Sequence, residues 1–397
     1  MRMALFSGPA RVSSALRVFI LAGEPSGDKL GGALMAGLRH LRPDVTFEGI
    51  GGVQMQAEGL ASRFDMSELS VMGLAEILPK YLPLKRRIAQ TVEAVVAMRP
   101  DVLITIDSPD FSLRVARGVK ACSGIRCVHY VAPTVWAWRP GRAAKMARHV
   151  DQVLALLPFE PPFMQAAGMR CDFVGHPVLA EPVASDAQAL EFRAAHGMGA
   201  APLLLVLPGS RRAEVARLGA PFATAVRLLK AQRPDLRIVV PAAAPVAQAV
   251  LDLTADWPDT TVLDPRGGDY EQAMAQKRAA FRAADVALAA SGTVSLELAA
   301  ADTPMVIAYD MSPLSRMIIS RMMLVDTVTL VNLVSETRVV PEFIGARCRG
   351  DLIAAGVTSV LEVPEAQHAV MALTMQRLGQ GGEDPGLRAA LAVLGGL

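Results

Sequence analysis

Short apolar runs alternate with amphipathic segments along the whole chain. The runs at Arg17–Ala22, Thr46–Gly49, Val102–Asp107, Cys127–Val131, Gln152–Leu156 and Asp172–Val174 have the length and branched content of buried strands. Helical patterns such as KRRIAQTVEAVVAM (85–98) lie between several of them. A polar, Ala/Pro/Gly-rich stretch, EPVASDAQALEFRAAHGMGAAP (181–202), then reads as a linker and an entry helix. A second alternating set follows: LLLVLPGS (203–210), RIVVPAA (237–243), TTVLD (260–264), ADVALAA (284–290), PMVIAYD (304–310) and TLVNLV (329–334). Strand and helix in repeated alternation predict parallel sheets covered on both faces, so the fold class is α/β with two Rossmann-like domains. The expected limits are an amino-terminal extension over 1–16, a first domain over 17–185 and a second over 186–397. The terminal helices of the second are free to pack back on the first. In such sheets ligands collect at the carboxyl ends of the strands, so polar residues just after an apolar run carry the chemistry.

Composition narrows the classes. A chain of 397 residues is long for a single core. With 40 Lys and Arg against 38 Asp and Glu there is no overall field to draw nucleic acid. Cys122, Cys127, Cys171 and Cys348 form no CxxC or metal-like group and read as reduced core thiols of a cytoplasmic protein. The opening MRMALFSGPARVSSAL is broken by Gly8, Pro9 and Arg11 and does not read as a signal peptide. The longest apolar stretch, 317–334, is cut by Arg321 and Asp326, short of the ~18 uninterrupted residues a membrane span needs. The mean hydropathy of +0.34 is nonetheless high, which points to a surface that meets lipid. The Met-rich segment 311–324 reads either as core or as the seam of a homodimer.

Five stretches carry chemistry. In LLLVLPGSRRAEVARL (203–218) a buried strand ends in Pro208-Gly209-Ser210 and a helix opens at Arg211. Backbone N–H groups at a helix start and a planar guanidinium make an anion site. In LAASGTVSLELAA (288–300), Ser291-Gly292-Thr293 opens a helix with Glu297 one turn in, placed to accept ribose hydroxyls or simply to complement the helix dipole. The two turns together suggest a nucleoside diphosphate. Asp107 ends an apolar run, before Ser108 and Pro109, where a carboxylate serves as a general base or as a cap; Asp110 shares either role. HYVAPTVWAWRPGRAAKMARHV (129–150) sets Trp136 and Trp138 beside Arg139, Arg142, Lys145 and Arg148, a pattern suited to sugar stacking, an acidic headgroup, or core tryptophans beside a solvated helix face. In 71–88, Val71, Met72, Leu74, Ile77, Leu78 and Leu82 precede Lys85, Arg86 and Arg87. Pro79 and Pro83 should break any long helix there, leaving short apolar pieces edged by cations: a membrane-surface patch or an internal helix pair.

AGEPSGD (22–28), IDSPDF (106–111), HYVAPTVWAWRPGR (129–142), GHP (175–177), LPGSRRAEV (207–215), ASGTVSLE (290–297), LVNLV (330–334) and VPEF (340–343) occur in this order. Together they closely resemble the lipid-A-disaccharide synthases, family-19 glycosyltransferases of Gram-negative bacteria. One departure is Gly345, where the family pattern has glutamine. The resemblance implies a GT-B fold, with two Rossmann-like domains facing a cleft. It implies transfer of 2,3-diacylglucosamine from its UDP form to the 6-hydroxyl of 2,3-diacylglucosamine 1-phosphate, with inversion. Asp107 would be the base, and Gly209, Ser210 and Arg211 would meet the diphosphate. Ser291, Gly292, Thr293 and Glu297 would hold the ribose side, and Asn332 would join the donor site. The acceptor would meet Ser26 and Gly27 of the first loop, with Trp136 and Arg139, while Glu24 and Asp28 would cap that loop or bind the sugar's hydroxyls. No DxD pair is present, so no metal or other cofactor is expected; the helix ends and Arg211 meet the leaving charge. The protein would sit on the cytoplasmic face of the inner membrane, peripherally, against anionic lipid. The alternatives are a UDP-sugar 2-epimerase, a UDP-sugar transferase with a soluble or undecaprenyl-linked acceptor, and a two-lobed solute-binding protein.

Overall fold

The computed structural model describes residues 15–69, 74–312, 316–317 and 321–397, with the backbone alone for 74–81. Val71, Met72 and most of the extension lie outside the described residues, as do the side chains of Leu74, Ile77 and Leu78 and parts of 311–324. The first half of the chain runs β1 (Arg17–Ala22), α1 (Pro25–Leu41), β2 (Thr46–Ile50), α2 (Val53–Ala57), α3 (Leu74–Met98), β3 (Val102–Ile106), α4 (Pro109–Cys122), β4 (Arg126–Tyr130), α5 (Gly141–Met146), β5 (Gln152–Ala155), α6 (Pro161–Gln165) and β6 (Arg170–Phe173). The second runs α7 (Asp186–Ala195), β7 (Leu203–Leu207), α8 (Arg212–Gln232), β8 (Arg237–Pro241), α9 (Ala247–Thr254), β9 (Thr260–Leu263), α10 (Tyr270–Ala283), β10 (Val286–Ala290), α11 (Val294–Ala300), β11 (Met305–Tyr309), α12 (Leu330–Ser335), β12 (Glu342–Ile344), α13 (Gly350–Glu362), α14 (Glu365–Leu378) and α15 (Pro385–Leu394).

Two six-stranded sheets result, ordered β2-β1-β3-β4-β5-β6 and β12-β11-β10-β7-β8-β9, and every pairing is parallel. Strands buried on both faces explain the unbroken apolar runs in the sequence. In the first sheet, Val18, Ile20 and Ile104 face α1, whereas Phe19, Leu21 and Leu103 face α3 and α4. In the second, Leu204 and Val206 face α8 and α13, whereas Leu205 and Ala289 face α10, α11 and α14. The helices that follow β1 and β3 therefore leave to opposite faces, and so do those that follow β7 and β10. Each sheet opens a crevice at that point, at its carboxyl edge.

The carboxyl terminus returns to the first sheet. Ala389, Ala390 and Val393 of α15 pack with Leu34, Met35 and Leu38 of α1. Buried Gln152 donates to the Ala392 carbonyl (2.9 Å) and accepts from Arg126 (2.8 Å), which fixes the end of α15 against the strand edges.

Four expectations are corrected. TLVNLV is not a strand: Thr329 stands just before α12, and Val331 and Val334, three apart, face the core as helical period demands. The sixth strand is instead β12, three residues that pair Glu342 with Ile307. Pro79 and Pro83 do not break α3, which runs for 25 residues through both; a proline's φ is itself near helical, and Pro83 is exposed. Leu16, counted with the extension, is buried, and its carbonyl accepts the Thr46 N–H (2.8 Å). Of the four free thiols Cys127 and Cys171 are core, whereas Cys122 is exposed near the end of α4.

Asp28 ties the first loop to the second crossover. It is 4% exposed, and its carboxylate accepts the N–H groups of Gly52 (2.7 Å), Gln54 (2.9 Å) and Met55 (3.1 Å), capping α2. Asp28→Ala should cost about 2–3 kcal/mol in urea unfolding, because these donors lose an ionised acceptor. An unchanged midpoint would remove the cap from the account.

Candidate active site

Parallel register sets Ala22 beside Ile106, so the loops after β1 and β3 meet at the first crevice. The approach is close: a Cβ on Gly23 would fall 2.5 Å from Ser108 Oγ. Asp107 and Ser108 both take left-handed backbone, with φ of 45° and 44°, and the Asp107 N–H is held by the Tyr130 carbonyl (3.0 Å). Val131, next along β4, has φ of 84°, an outlier for a β-branched residue, with its N–H on the Leu154 carbonyl (3.0 Å). Strained residues kept in place by surrounding hydrogen bonds mark sites where geometry is set in advance.

Asp107 and Val131 border a cleft of about 420 Å³ between α4, α5 and the sheet edge. Its lining includes Asp107, His129, Thr134, Arg114, Arg117, Arg142, Lys145 and His149, over an apolar floor of Leu113, Ala132 and Met146. Asp107 is half-buried, and desolvation raises its pKa from the ordinary carboxylate value, which makes it the better base. His129 is buried, its Nδ1 lies 2.7 Å from Thr105 Oγ1, and burial lowers its pKa to about 4, so the ring is neutral near pH 7.

The second crevice lies where Leu207 pairs with Ala289, between the turns that follow β7 and β10. Gly209 has φ of +115°, the left-handed region that glycine enters without strain. The carboxylate of Glu214 closes this turn. It accepts the N–H groups of Ser210 (3.1 Å) and Arg211 (3.3 Å) and pairs with the Arg211 guanidinium at 3.0 Å. The groups expected to meet an anion thus hold one already, from the chain itself. Arg211 remains 66% exposed in its side chain. On the opposite turn Ser291 is half-buried and Gly292 and Thr293 are exposed, and Glu297 pairs with Lys277 of α10 at 2.7 Å.

A family model described as Lipid-A-disaccharide synthetase matches residues 18–384, nearly the whole chain. The chain belongs to the lipid-A-disaccharide synthetase family. Among its relatives, the lipid-A-disaccharide synthase of Ruegeria pomeroyi is 64% identical over 97% of this chain and 96% of that protein. That of Rhodospirillum centenum is 46% identical over 96% and 94%. Similar solved structures share the fold at low identity. One is a putative UDP-N-acetylglucosamine 2-epimerase from Listeria monocytogenes (TM-score 0.60, 15% identity, 96% and 95% covered). Another is the UDP-GlcNAc 2-epimerase of Neisseria meningitidis bound to UDP-GlcNAc (TM-score 0.59, 13% identity, 96% and 98% covered). The architecture is therefore GT-B, and membership makes this chain a glycosyltransferase of lipid A disaccharide synthesis. The epimerase alternative shares only the frame.

Within the lipid-A-disaccharide synthetase frame, several site expectations change. Trp136 is not a stacking platform: it is 8% exposed, lies edge-on to Phe159 (5.1 Å) and donates its indole N–H to Glu160 at 3.3 Å. It packs in the core of the second sheet, joining the halves. Arg139 stacks on Trp138 instead, 4.4 Å from the ring centroid. Asp28 is consumed by the α2 cap, and Gly27 is buried; at the start of α1 Glu24 is half-buried and Ser26 exposed. Asn332 is 1% exposed and turned inward: Nδ2 donates to the Val340 carbonyl (2.9 Å) and to Thr327 (3.3 Å), and Oδ1 accepts the Val340 N–H (3.0 Å). The helical geometry of α12, unread in the sequence, is what directs it there. Arg87 is committed to Glu68 (2.8 Å) and to the face of Phe64 (4.3 Å), which leaves Leu82, Lys85 and Arg86 exposed on α3. Residues the sequence reading passed over are His129, Arg114, Arg117, Glu214 and Lys277. The three-residue spacing of Arg114 and Arg117 behind Asp107 was the signal available for that pair.

Asn332→Leu should lower stability by about 2–4 kcal/mol in chemical denaturation, since both Val340 backbone groups lose buried partners. A variant as stable as the parent would release Asn332 from this structural role.

Proposed function

We propose that the chain transfers the 2,3-diacylglucosaminyl group of UDP-2,3-diacylglucosamine to the 6-hydroxyl of 2,3-diacylglucosamine 1-phosphate. The products are the β-1,6-linked disaccharide 1-phosphate and UDP. The observation that carries this reading is Asp107, a desolvated carboxylate in a strained turn at the carboxyl edge, the one carboxylate in a cleft that also holds Arg114, Arg117, Arg142 and Lys145. In one in-line displacement the acceptor oxygen attacks the anomeric carbon and the bond to the diphosphate oxygen breaks. The hydroxyl proton passes to Asp107, and the charge that develops on UDP is met by Arg211 and the start of α8. Since Glu214 holds these same groups in the free protein, the diphosphate takes its place on them. Thr293 and the Lys277–Glu297 pair flank the nucleoside side. The acceptor's sugar lies in the Asp107 cleft, reached also by the start of α1 at Glu24 and Ser26.

No helix among the described residues is long and apolar enough to cross a membrane. Both substrates are lipids, and the exposed Leu82 (74%) with Lys85 and Arg86 forms a surface suited to anionic headgroups. The protein in this reading works peripherally, on the cytoplasmic face of the inner membrane.

Purified protein given both lipids in EDTA should release UDP, and release without the 1-phosphate acceptor would overturn the transfer reaction. Asp107→Asn should lower kcat about 10²–10⁴-fold with little change in the donor KM. In the parent the base must be ionised, so activity falls as pH drops through the raised pKa. The acid limb of kcat/KM should accordingly lie above the ~3.9 of an exposed aspartate. A limb at or below that value would remove Asp107 as base. Lys85→Glu with Arg86→Glu should weaken flotation with phosphatidylglycerol vesicles while sparing unfolding midpoints. Undiminished flotation would discard the patch.

A further inference from the structure

We propose that the cations beside Asp107 form a phosphomonoester subsite, which takes the anomeric phosphate of the acceptor while the acceptor's hydroxyl lies at Asp107. The proposal rests on the transferase reading above and adds to it the groups that recognise the acceptor. Two helices supply the charge. Arg114 and Arg117 lie three apart on α4, and Arg142 and Lys145 lie three apart on α5, with His149 just beyond; all five line the cleft against one carboxylate, Asp107. Arg117 and Lys145 have no carboxylate partner among the described residues, whereas most of the ion pairs among those residues lie away from this cleft. Arg114 reaches Asp110 only at 3.9 Å, and that carboxylate is 92% exposed.

Like charges gathered in a concave site repel, and a bound anion relieves the repulsion. A phosphomonoester brings nearly two charges and three acceptor oxygens at neutral pH, enough to engage both a guanidinium fork and an ammonium. The spacing suits a single sugar. Seven residues of helix separate Asp110, beside the base, from Arg117, which is about 10 Å at helical rise. That is the scale of one pyranose ring bearing its reacting hydroxyl and its phosphate at opposite ends. The apolar floor at Leu113 and Met146 gives the ring and the start of its acyl chains a dry side. The donor's diphosphate has its own groups in the other half, so the cleft is left for the acceptor.

The test is steady-state kinetics of Arg117→Ala, Lys145→Ala and the double variant, all at exposed positions, with folding checked by thermal melts. Each single variant should raise the KM for 2,3-diacylglucosamine 1-phosphate about tenfold and leave the donor KM unchanged. With 2,3-diacylglucosamine lacking the phosphate, parent and double variant should be equally poor. Glucosamine 1-phosphate, which has no acyl chains, should bind the parent in calorimetry and compete with the acceptor, and the double variant should lose this binding. Calorimetry reads the cleft without turnover, so its result stands even if no UDP is released. An unchanged acceptor KM, or an equal loss with the phosphate-free acceptor, would overturn the proposal. So would loss of anionic-vesicle binding alone, which would assign the cations to the lipid surface.

Discussion

A parallel strand cannot cover its own carboxyl end where the helices on its two sides leave to opposite faces, and both sheets of this protein are organised around that constraint. Between β1 and β3, and again between β7 and β10, the crossover helices diverge and a crevice is left uncovered. The proposed base and the two helix-start turns proposed for the donor lie at these two places. The register makes this unavoidable: pairing Ala22 with Ile106 brings Gly23 against Ser108, and pairing Leu207 with Ala289 brings the Gly209 turn against Ser291. The unusual backbone of Asp107 and Ser108 persists because the neighbouring strand holds the Asp107 N–H.

Electrostatics in the first crevice is a contest between two effects. Cations nearby lower the pKa of a carboxylate, and burial raises it. For Asp107 burial prevails over the one opposing contact, the Ser108 backbone N–H. Arg114, Arg117 and Lys145 are exposed, so water screens them, whereas the carboxylate itself is half-buried. In the proposed reading the ligand's charge is thus met by exposed groups, while the base is set by its own burial.

Most of the architecture was legible in the sequence because fully buried parallel strands write themselves as continuous apolar runs, and five of the six strands in the second sheet were read that way. The exception is instructive. TLVNLV is apolar enough for a strand, yet Val331 and Val334 use a three-residue period, and a six-residue stretch is too short to separate the two periods. The assignment of Asn332 to the donor site rests on the resemblance alone, and its inward turn onto Val340 follows from the helix. The position of Asp107 at a strand end was legible from its sequence context. The burial of Trp136 was one of the open readings, since aromatic and cationic residues side by side look alike whether the ring faces a sugar or the core. Pair partners far apart in sequence, such as Lys277 with Glu297, are invisible without the fold.

The two crevices also differ in how ready they are for a ligand. In the second, the anion-binding groups are satisfied internally: Glu214 holds the N–H groups of Ser210 and Arg211, and Lys277 holds Glu297. A diphosphate arriving there exchanges one set of hydrogen bonds for another, so its net gain is the difference between them. In the first, Arg117 and Lys145 hold no carboxylate among the described residues, and an anion arriving there has only water to displace from them. Internal satisfaction has a structural benefit, because an unpaired turn with its N–H groups turned into a partly dry crevice would be costly. Exposed cations pay little for standing alone, since water solvates them. The fold therefore leaves the cations of the proposed acceptor subsite open and closes the backbone turn of the proposed donor site with its own carboxylate, and each arrangement follows from what the groups concerned lose when unpaired.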